Sequence, residues 1–204
     1  MPSNLTGLDS MPSSPVSIRD CWVQMAVVKL TMFFLLVFAL THTLMAHSAS
    51  GASFVIHSAY VEVYFSPRGG AEAAIIRAIG EATDDVSVLA YSFTSDSISA
   101  ALIAAHRKGV QVRVVLDKSQ CTARGSKLQR LKDAKVLVYI DHTHAIAHNK
   151  VMIIDRQIVI TGSFNFTKSA EDRNAENLLI IHSHPLSDKY LQDFERHMGH
   201  ARTE

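Results

Sequence analysis

The sequence predicts an α/β protein, an α/β/α sandwich around a mixed, mostly parallel central sheet. Three observations carry this. Short Val/Ile-rich runs alternate with Ala/Leu-rich stretches of helical period, the pattern of strands joined by crossover helices. A chain of 204 residues that is 48% hydrophobic and 19% charged supplies the core of one ordinary domain, not of two large ones. Late in the chain, two apolar runs are separated only by a turn at Asp155 and Arg156, which adds an antiparallel hairpin to the parallel pattern.

Residues 1–50 read as lying outside that fold. "LTMFFLLVFAL" (Leu30 to Leu40) is an apolar core behind Lys29, and "THTLMAHSAS" after it is rich in small residues, the layout of a secretory signal. Cleavage is expected near residues 48–50, for instance after Ser48 with Ala46 at the minus-three position. The preceding Ser/Pro-rich segment is too long for an ordinary n-region, and Met25 is the better start. The expected location is periplasmic or secreted, with no stable membrane span after cleavage. The alternative is an N-terminal anchor over Val23 to Met45, a stretch interrupted by Lys29 and Thr41-His42-Thr43. Residues 51–204 form the single domain. Of two cysteines only Cys121 falls in it, which excludes an internal disulfide framework and a cysteine zinc site.

The elements follow in order. "VEVYFSP" (Val61 to Pro67) alternates as a strand, and Gly69-Gly70 separates it from the helix "AEAAIIRAIGEAT". "VSVLAYSF" reads as a buried strand, followed by a helix opened at Ser95 or Asp96 and closed by Gly109. "VQVRVVLD" is a strand ending at Asp117; "KSQCTARGSKLQRLKDAK" starts as a loop and turns helical near Ser126; "VLVYI" is a short strand. "KVMIID" and "QIVITG" form the hairpin, "NLLIIH" is a further strand, and the last helix runs from about Leu186 to His197.

The hairpin carries the chemistry. His148 and Lys150, two apart on a strand, project from one face while Asn149 points away. Ser163 and Asn165 share that period where the second strand ends. The hairpin can therefore gather an imidazole, an ammonium, a hydroxyl and an amide. Such a set suits a phosphodiester: a nucleophile or acid, a counter-charge for anionic oxygens, and neutral donors. Asp155 is expected to brace the turn rather than touch substrate, with Gly162 a structural support. The formal charge of +1 excludes a global basic field. A local cluster, Lys118, Arg124, Lys127 and Arg130, follows a strand C-terminus, where it can hold a phosphate backbone.

The spacing His148-x-Lys150, four residues, Asp155, six residues, Gly162-Ser163-x-Asn165 resembles the HKD motif of the phospholipase D superfamily without departure. Chance would produce it on the order of 10⁻⁸ times per starting position. The resemblance extends to the superfamily's small bacterial EDTA-resistant endonucleases through "YSFTS" (Tyr91 to Ser95), "GSFNFTKSAE" and Glu176, and it implies that Glu176 orients the catalytic histidine. It also implies two histidines on opposite sides of the phosphorus. This sequence has one complete motif: the other H-x-K, His106-Arg107-Lys108, has Arg113 where the motif needs Asp and Gln120-Cys121 where it needs Gly-Ser, so the resemblance implies a homodimer with a shared active site. The implied mechanism needs no metal and no cofactor. His148 of one chain attacks phosphorus, and His148 of the other protonates the leaving oxygen.

The expected function is a non-specific endonuclease acting on DNA and, by extension, RNA. A phospholipid or cardiolipin substrate is the alternative, since the motif fixes the reaction and not the alcohol. A non-catalytic nucleic-acid-binding module is a third reading, which the intact His, Lys, Ser, Asn and Glu set argues against. Eleven histidines are many for this length, and His142, His144, His148, His182 and His184 fall in two clusters. A metal centre in "DHTHAIAHNK" is disfavoured, because Ile146 and Ala147 stand where an H-x-H-x-D-H site needs Asp and His, and it would also leave Lys150, Ser163 and Asn165 unexplained. His142 and His144 are then expected to line the approach to the site or to be simply exposed, and His182 and His184 to be surface turn residues.

Overall fold

The computed structural model describes residues 59–203, within the compact unit Val55–Glu204. The expectations for the signal segment, start codon, cleavage site and anchor lie outside the described residues. Among the described residues, no helix is long and apolar enough to cross a membrane.

Eight strands form one sheet: β1 (Tyr60–Ser66), β2 (Asp85–Ala90), β3 (Gln111–Asp117), β4 (Leu137–Asp141), β5 (Lys150–Ile154), β6 (Ile158–Gly162), β7 (Glu176–His182) and β8 (Arg202–Thr203), in the order β1-β7-β6-β5-β2-β3-β4-β8. The helices are α1 (Ala71–Glu81), α2 (Asp96–Arg107), α3 (Leu128–Asp133), α4 (Lys168–Asp172) and α5 (His184–His200), with a 3₁₀ turn over Lys118–Cys121. The α/β class and the mixed sheet are as expected. The balance of pairings is not: only β2–β3 and β3–β4 are parallel neighbours, and the other five pairings are antiparallel. The parallel part coincides with the crossovers through α2 and α3. The β5–β6 connection is a tight turn over residues 155–157, and such a short return gives antiparallel neighbours, whereas β6 and β7 are joined through residues 163–175, which include α4. The short helix α4 and edge strand β8 were not expected, being too brief to leave a period. The last helix is longer than expected at both ends.

Alternation divides the core. Val86, Val88, Val112, Val114, Met152 and Ile154 face one side, where they meet Ile75, Ile79, Ile98, Leu102 and Leu131 of α1, α2 and α3. Leu89, Val115, Val151 and Ile153 face the other side and pack on Phe194 of α5. This smaller core decides where α5 lies, and hence which histidines reach β4 and β5. Ser95 caps α2 by accepting from the Ile98 N–H at 3.1 Å, as its place before the apolar period predicts. The end of the α1 connection is held from afar: Glu171 of α4 accepts from the N–H groups of Gly70 (3.2 Å) and Glu72 (2.9 Å).

The C-terminal ends of β2, β3 and β4 and the start of β5 fall at one end of the sheet, since Ala90 is paired with Lys150 and Asp117 with Asp141. Buried Asp117 ties the loops there together, accepting from Ala147 N–H at 2.7 Å and Ser119 N–H at 2.9 Å. Burial pushes its carboxyl up, but these hydrogen bonds prevail and hold it below the usual range.

Candidate active site

The hairpin β5–β6 is pinned by Asp155. Both Asp155 (φ 52°) and Arg156 (φ 54°) adopt left-handed backbone, as the central residues of a tight turn that Gln157 N–H closes by donating to the Ile154 carbonyl at 3.0 Å. The Asp155 carboxylate accepts from the N–H groups of Thr83 (2.9 Å), Asp84 (2.9 Å) and Asp85 (3.0 Å) and from Thr83 Oγ1 (3.1 Å). Partial burial raises its pKa, but the three N–H donors outweigh this and hold it low. Asp155 thus fixes the far end of the hairpin against the entry to β2, away from His148. At the other end, Gly162 has φ 149°, and a Cβ there would sit 2.3 Å from the Asn177 carbonyl oxygen. Only glycine permits β6 and β7 to approach that closely.

The structure brings His148, Lys150, Ser163, Asn165 and Glu176 to one end of the sheet. His148 is exposed and Lys150 buried. Lys150 Nζ lies 3.0 Å from His148 Nε2 and donates to the His148 carbonyl at 3.1 Å. A charged ammonium there makes Nε2 the acceptor, so that nitrogen carries the lone pair. Burial lowers the pKa of Lys150, and the charge of Glu176 acts in the opposite sense.

Ser163 and Glu176 form a pair. Ser163 Oγ donates to Glu176 Oε2 at 2.6 Å and accepts from Asn177 N–H (3.1 Å) and Nδ2 (3.3 Å), which uses all of its hydroxyl capacity. Glu176 Oε1 accepts from Asn174 Nδ2 at 3.0 Å. Among the described residues Glu176 makes no hydrogen bond to His148. In the single chain its carboxylate positions Ser163 and favours the charged form of Lys150 electrostatically. Asn165 Oδ1 is buried without a hydrogen-bond partner among the described residues, although Asn165 supplies its carbonyl to Thr167 N–H at 2.7 Å. A buried amide oxygen left unpaired costs about 1–3 kcal/mol, a deficit that substrate or a second chain can relieve.

Tyr91 belongs to this site and was not singled out by spacing. Its ring centroid is 4.5 Å from that of His148, and Lys150 Nζ lies 5.1 Å from it, within cation–π range. The available signal was its place in "YSFTS" at the end of β2. The basic cluster is only partly free. Lys127 and Arg130 both contact Asp96, at 2.8 and 2.7 Å, and Lys118 donates to the His144 carbonyl at 2.9 Å. Lys118 and Arg124 are exposed, with Lys118 in the turn directly after β3, at the same end of the sheet as His148.

Comparison with known proteins places this geometry. The family model described as "Cardiolipin synthase, PLD-like domain" matches residues 75–198. A protein named "Phospholipase D" from Rickettsia prowazekii is 45% identical over 134 residues, 66% of this chain and 65% of that protein. A "Mitochondrial cardiolipin hydrolase" from Chlamydomonas reinhardtii is 33% identical over 58% of this chain, which spans about half (53%) of its length. Among solved structures, a phospholipase D family member, Nuc from Salmonella typhimurium, superposes with a TM-score of 0.69 at 35% identity. That match covers 72% of this chain and 99% of Nuc. NucT from Helicobacter pylori has the same fold, with a TM-score of 0.66 at 22% identity. With its HKD residues assembled at one end of a mixed sheet, as the motif spacing requires, this chain belongs to the phospholipase D superfamily.

Proposed function

We propose that the protein is a secreted or periplasmic phosphodiesterase that hydrolyses nucleic-acid phosphodiester bonds at a site shared by two chains, through a phosphohistidine and without a catalytic metal. The observation that carries the reading is the pairing of one exposed imidazole with one buried ammonium, Lys150 Nζ 3.0 Å from His148 Nε2. A phosphate entering here draws the ammonium to its non-bridging oxygens and leaves the Nε2 lone pair to attack phosphorus. The P–N bond forms as the bond to the leaving sugar oxygen breaks, and that oxygen takes a proton from His148 of the second chain. The same histidine then accepts a proton from water, whose oxygen displaces the first histidine and releases the phosphate.

Three features support the half-site. One motif supplies one imidazole. Asn165 Oδ1 lacks a partner among the described residues. The edge strand β1 exposes Val61, Val63 and Phe65, alternate residues on one sheet face, at 44, 51 and 67%, an apolar surface suited to a second copy of this chain.

Nucleic acid is favoured as substrate by exposed Lys118 at the same end of the sheet as His148 and by the likeness to Nuc over nearly all of that protein's length. A phospholipid substrate is the second reading, favoured by the names of the Rickettsia and Chlamydomonas relatives. The deciding experiment incubates purified protein, kept folded as judged by circular dichroism, with plasmid DNA, RNA and cardiolipin-containing vesicles, each with and without excess EDTA. Cutting of DNA or RNA that persists in EDTA is expected. Lipid hydrolysis alone would replace the substrate assignment, and binding without cutting would make the chain a non-catalytic module.

A further inference from the structure

Beside the segment that leads from His148 into β5 lies a second cluster which the HKD motif does not include. Asp141 ends β4, His144 lies in the following loop, and His197 and His200 are three apart in the last turn of α5. One ligand atom from each of the four falls within 4.8 Å of every other. Three imidazole nitrogens converge on a single oxygen: His144 Nδ1 at 2.8 Å, His197 Nδ1 at 2.9 Å and His200 Nε2 at 3.3 Å from Asp141 Oδ2. The rings stand 4.8 to 5.4 Å apart, centroid to centroid.

We infer that Asp141, His144, His197 and His200 form a binding site for a divalent transition-metal ion of the zinc class, distinct from the phosphodiesterase site. Four arguments carry it. The donor set is right, since imidazole nitrogens with one carboxylate oxygen are ligands of zinc and its neighbours, whereas magnesium and calcium take oxygen. The spacing is right, because ligands bonded at about 2.0–2.1 Å in a tetrahedron are about 3.3 Å apart, close to the oxygen-to-nitrogen distances here. The carboxylate is preset: Asp141 is fully buried, and its other oxygen accepts from the N–H groups of Thr143 (2.9 Å) and His144 (3.1 Å), which turns Oδ2 toward the histidines. Access is graded, with side chains of His197, His200 and His144 exposed at 13, 33 and 45%, so an ion has a way in.

Surrounding groups suit the bound form. When His197 ligates through Nδ1, its Nε2 carries the proton and needs an acceptor. The Asp193 carboxylate lies 3.9 Å from Nε2, one helical turn away. Asn149 approaches the same nitrogen with its amide at 3.4 Å, and an amide flip offers it an oxygen. Asn149 stands between His148 and Lys150, so an ion here clamps α5 and the loop after β4 against the back of the catalytic strand.

The test titrates zinc alone into chelator-treated, desalted full-length protein. One saturable ion per chain by isothermal titration calorimetry is expected. The melting temperature should rise with free zinc, and cobalt(II) should give the visible spectrum of tetrahedral coordination. The double variant His144→Ala/His200→Ala should bind zinc about 100-fold or more weakly and lose the thermal shift. His182→Ala/His184→Ala, removing the other histidine pair, should change neither. His144→Gln, at the most exposed ligand, should weaken binding about 10-fold with an unchanged circular dichroism spectrum, a result that misfolding cannot mimic. Absence of saturable uptake, uptake unaffected in the His144 variants, or loss of uptake in the His182/His184 variant would overturn the site.

Discussion

The entry to β5, residues 148–150, faces two polar clusters of opposite need. On one side His148 and Lys150 offer an imidazole and an ammonium with no carboxylate in direct contact, because Glu176 is engaged by Ser163 and Asn174. On the other, reached through Asn149, one buried carboxylate gathers three imidazoles. The first is short of an anion and the second of a cation. Alternation keeps the two apart: Asn149, between His148 and Lys150 in sequence, turns to the second cluster while they serve the first. A single strand can therefore serve a phosphodiester on one side and a metal on the other.

The largest effect expected is on the first cluster. His148→Asn should lower phosphodiesterase turnover by about 10⁴-fold with the melting temperature unchanged, since the imidazole is exposed; steady-state kinetics and calorimetry measure both. Full activity in this variant would dissolve the comparison, because His148 would then be no more chemical than His144. Mixing tests whether the site is shared. If wild-type and His148→Asn chains are co-expressed equally, about one quarter of the dimers are fully wild type, and activity should fall to that level. A fall to half would mean that each chain works alone.

Lys150→Met sharpens the electrostatic side. Removing the charge that faces the phosphate should cost about 10²–10³-fold in kcat, yet it should not destabilise the fold at neutral pH. The folded pKa of Lys150 is lowered by burial. The unfolded chain therefore binds more protons between that value and the ordinary lysine value, and wild-type stability rises with pH across this alkaline window. In Lys150→Met that rise should disappear, a difference readable from urea midpoints taken as a function of pH.

The two clusters differ as much in legibility as in charge. Every HKD residue from His148 to Asn165 lies on one hairpin, so strand period and turn length alone placed them together, and the sheet end that gathers them followed from the α/β pattern. Glu176 comes from β7 and Tyr91 from directly after β2, and both are visible only through family resemblance. In the second cluster, Asp141 and His144 were in view within "DHTHAIAHNK", but His197 and His200 arrive from α5, more than fifty residues later. No spacing announces them. Their position depends on Phe194 docking beneath β2, β3 and β5, a packing event that the helix period predicts in kind but not in place. The preference for antiparallel neighbours was missed for a related reason, since alternation of elements states which strands exist and not which edges they join.

The smallest effect expected is at Asp155, and it tests what both clusters share. Because side chains alternate with period two, a slip of one residue between β5 and its neighbours would exchange the two sides of the strand. Asp155 resists that slip by holding the hairpin turn against Thr83, Asp84 and Asp85. Asn tolerates the left-handed backbone at this position, so Asp155→Asn isolates the charge and its hydrogen bonds from turn strain. It should cost about 1–3 kcal/mol of stability at neutral pH, measured by urea denaturation. The sign of the pH dependence follows from the lowered folded pKa. Wild type holds the full contribution above the ordinary carboxylate value and loses it as pH falls through the folded one, so the gap between wild type and Asp155→Asn should close in acid. Absence of a gap at neutral pH would show that the turn is held by its backbone alone, and the register of both clusters with it.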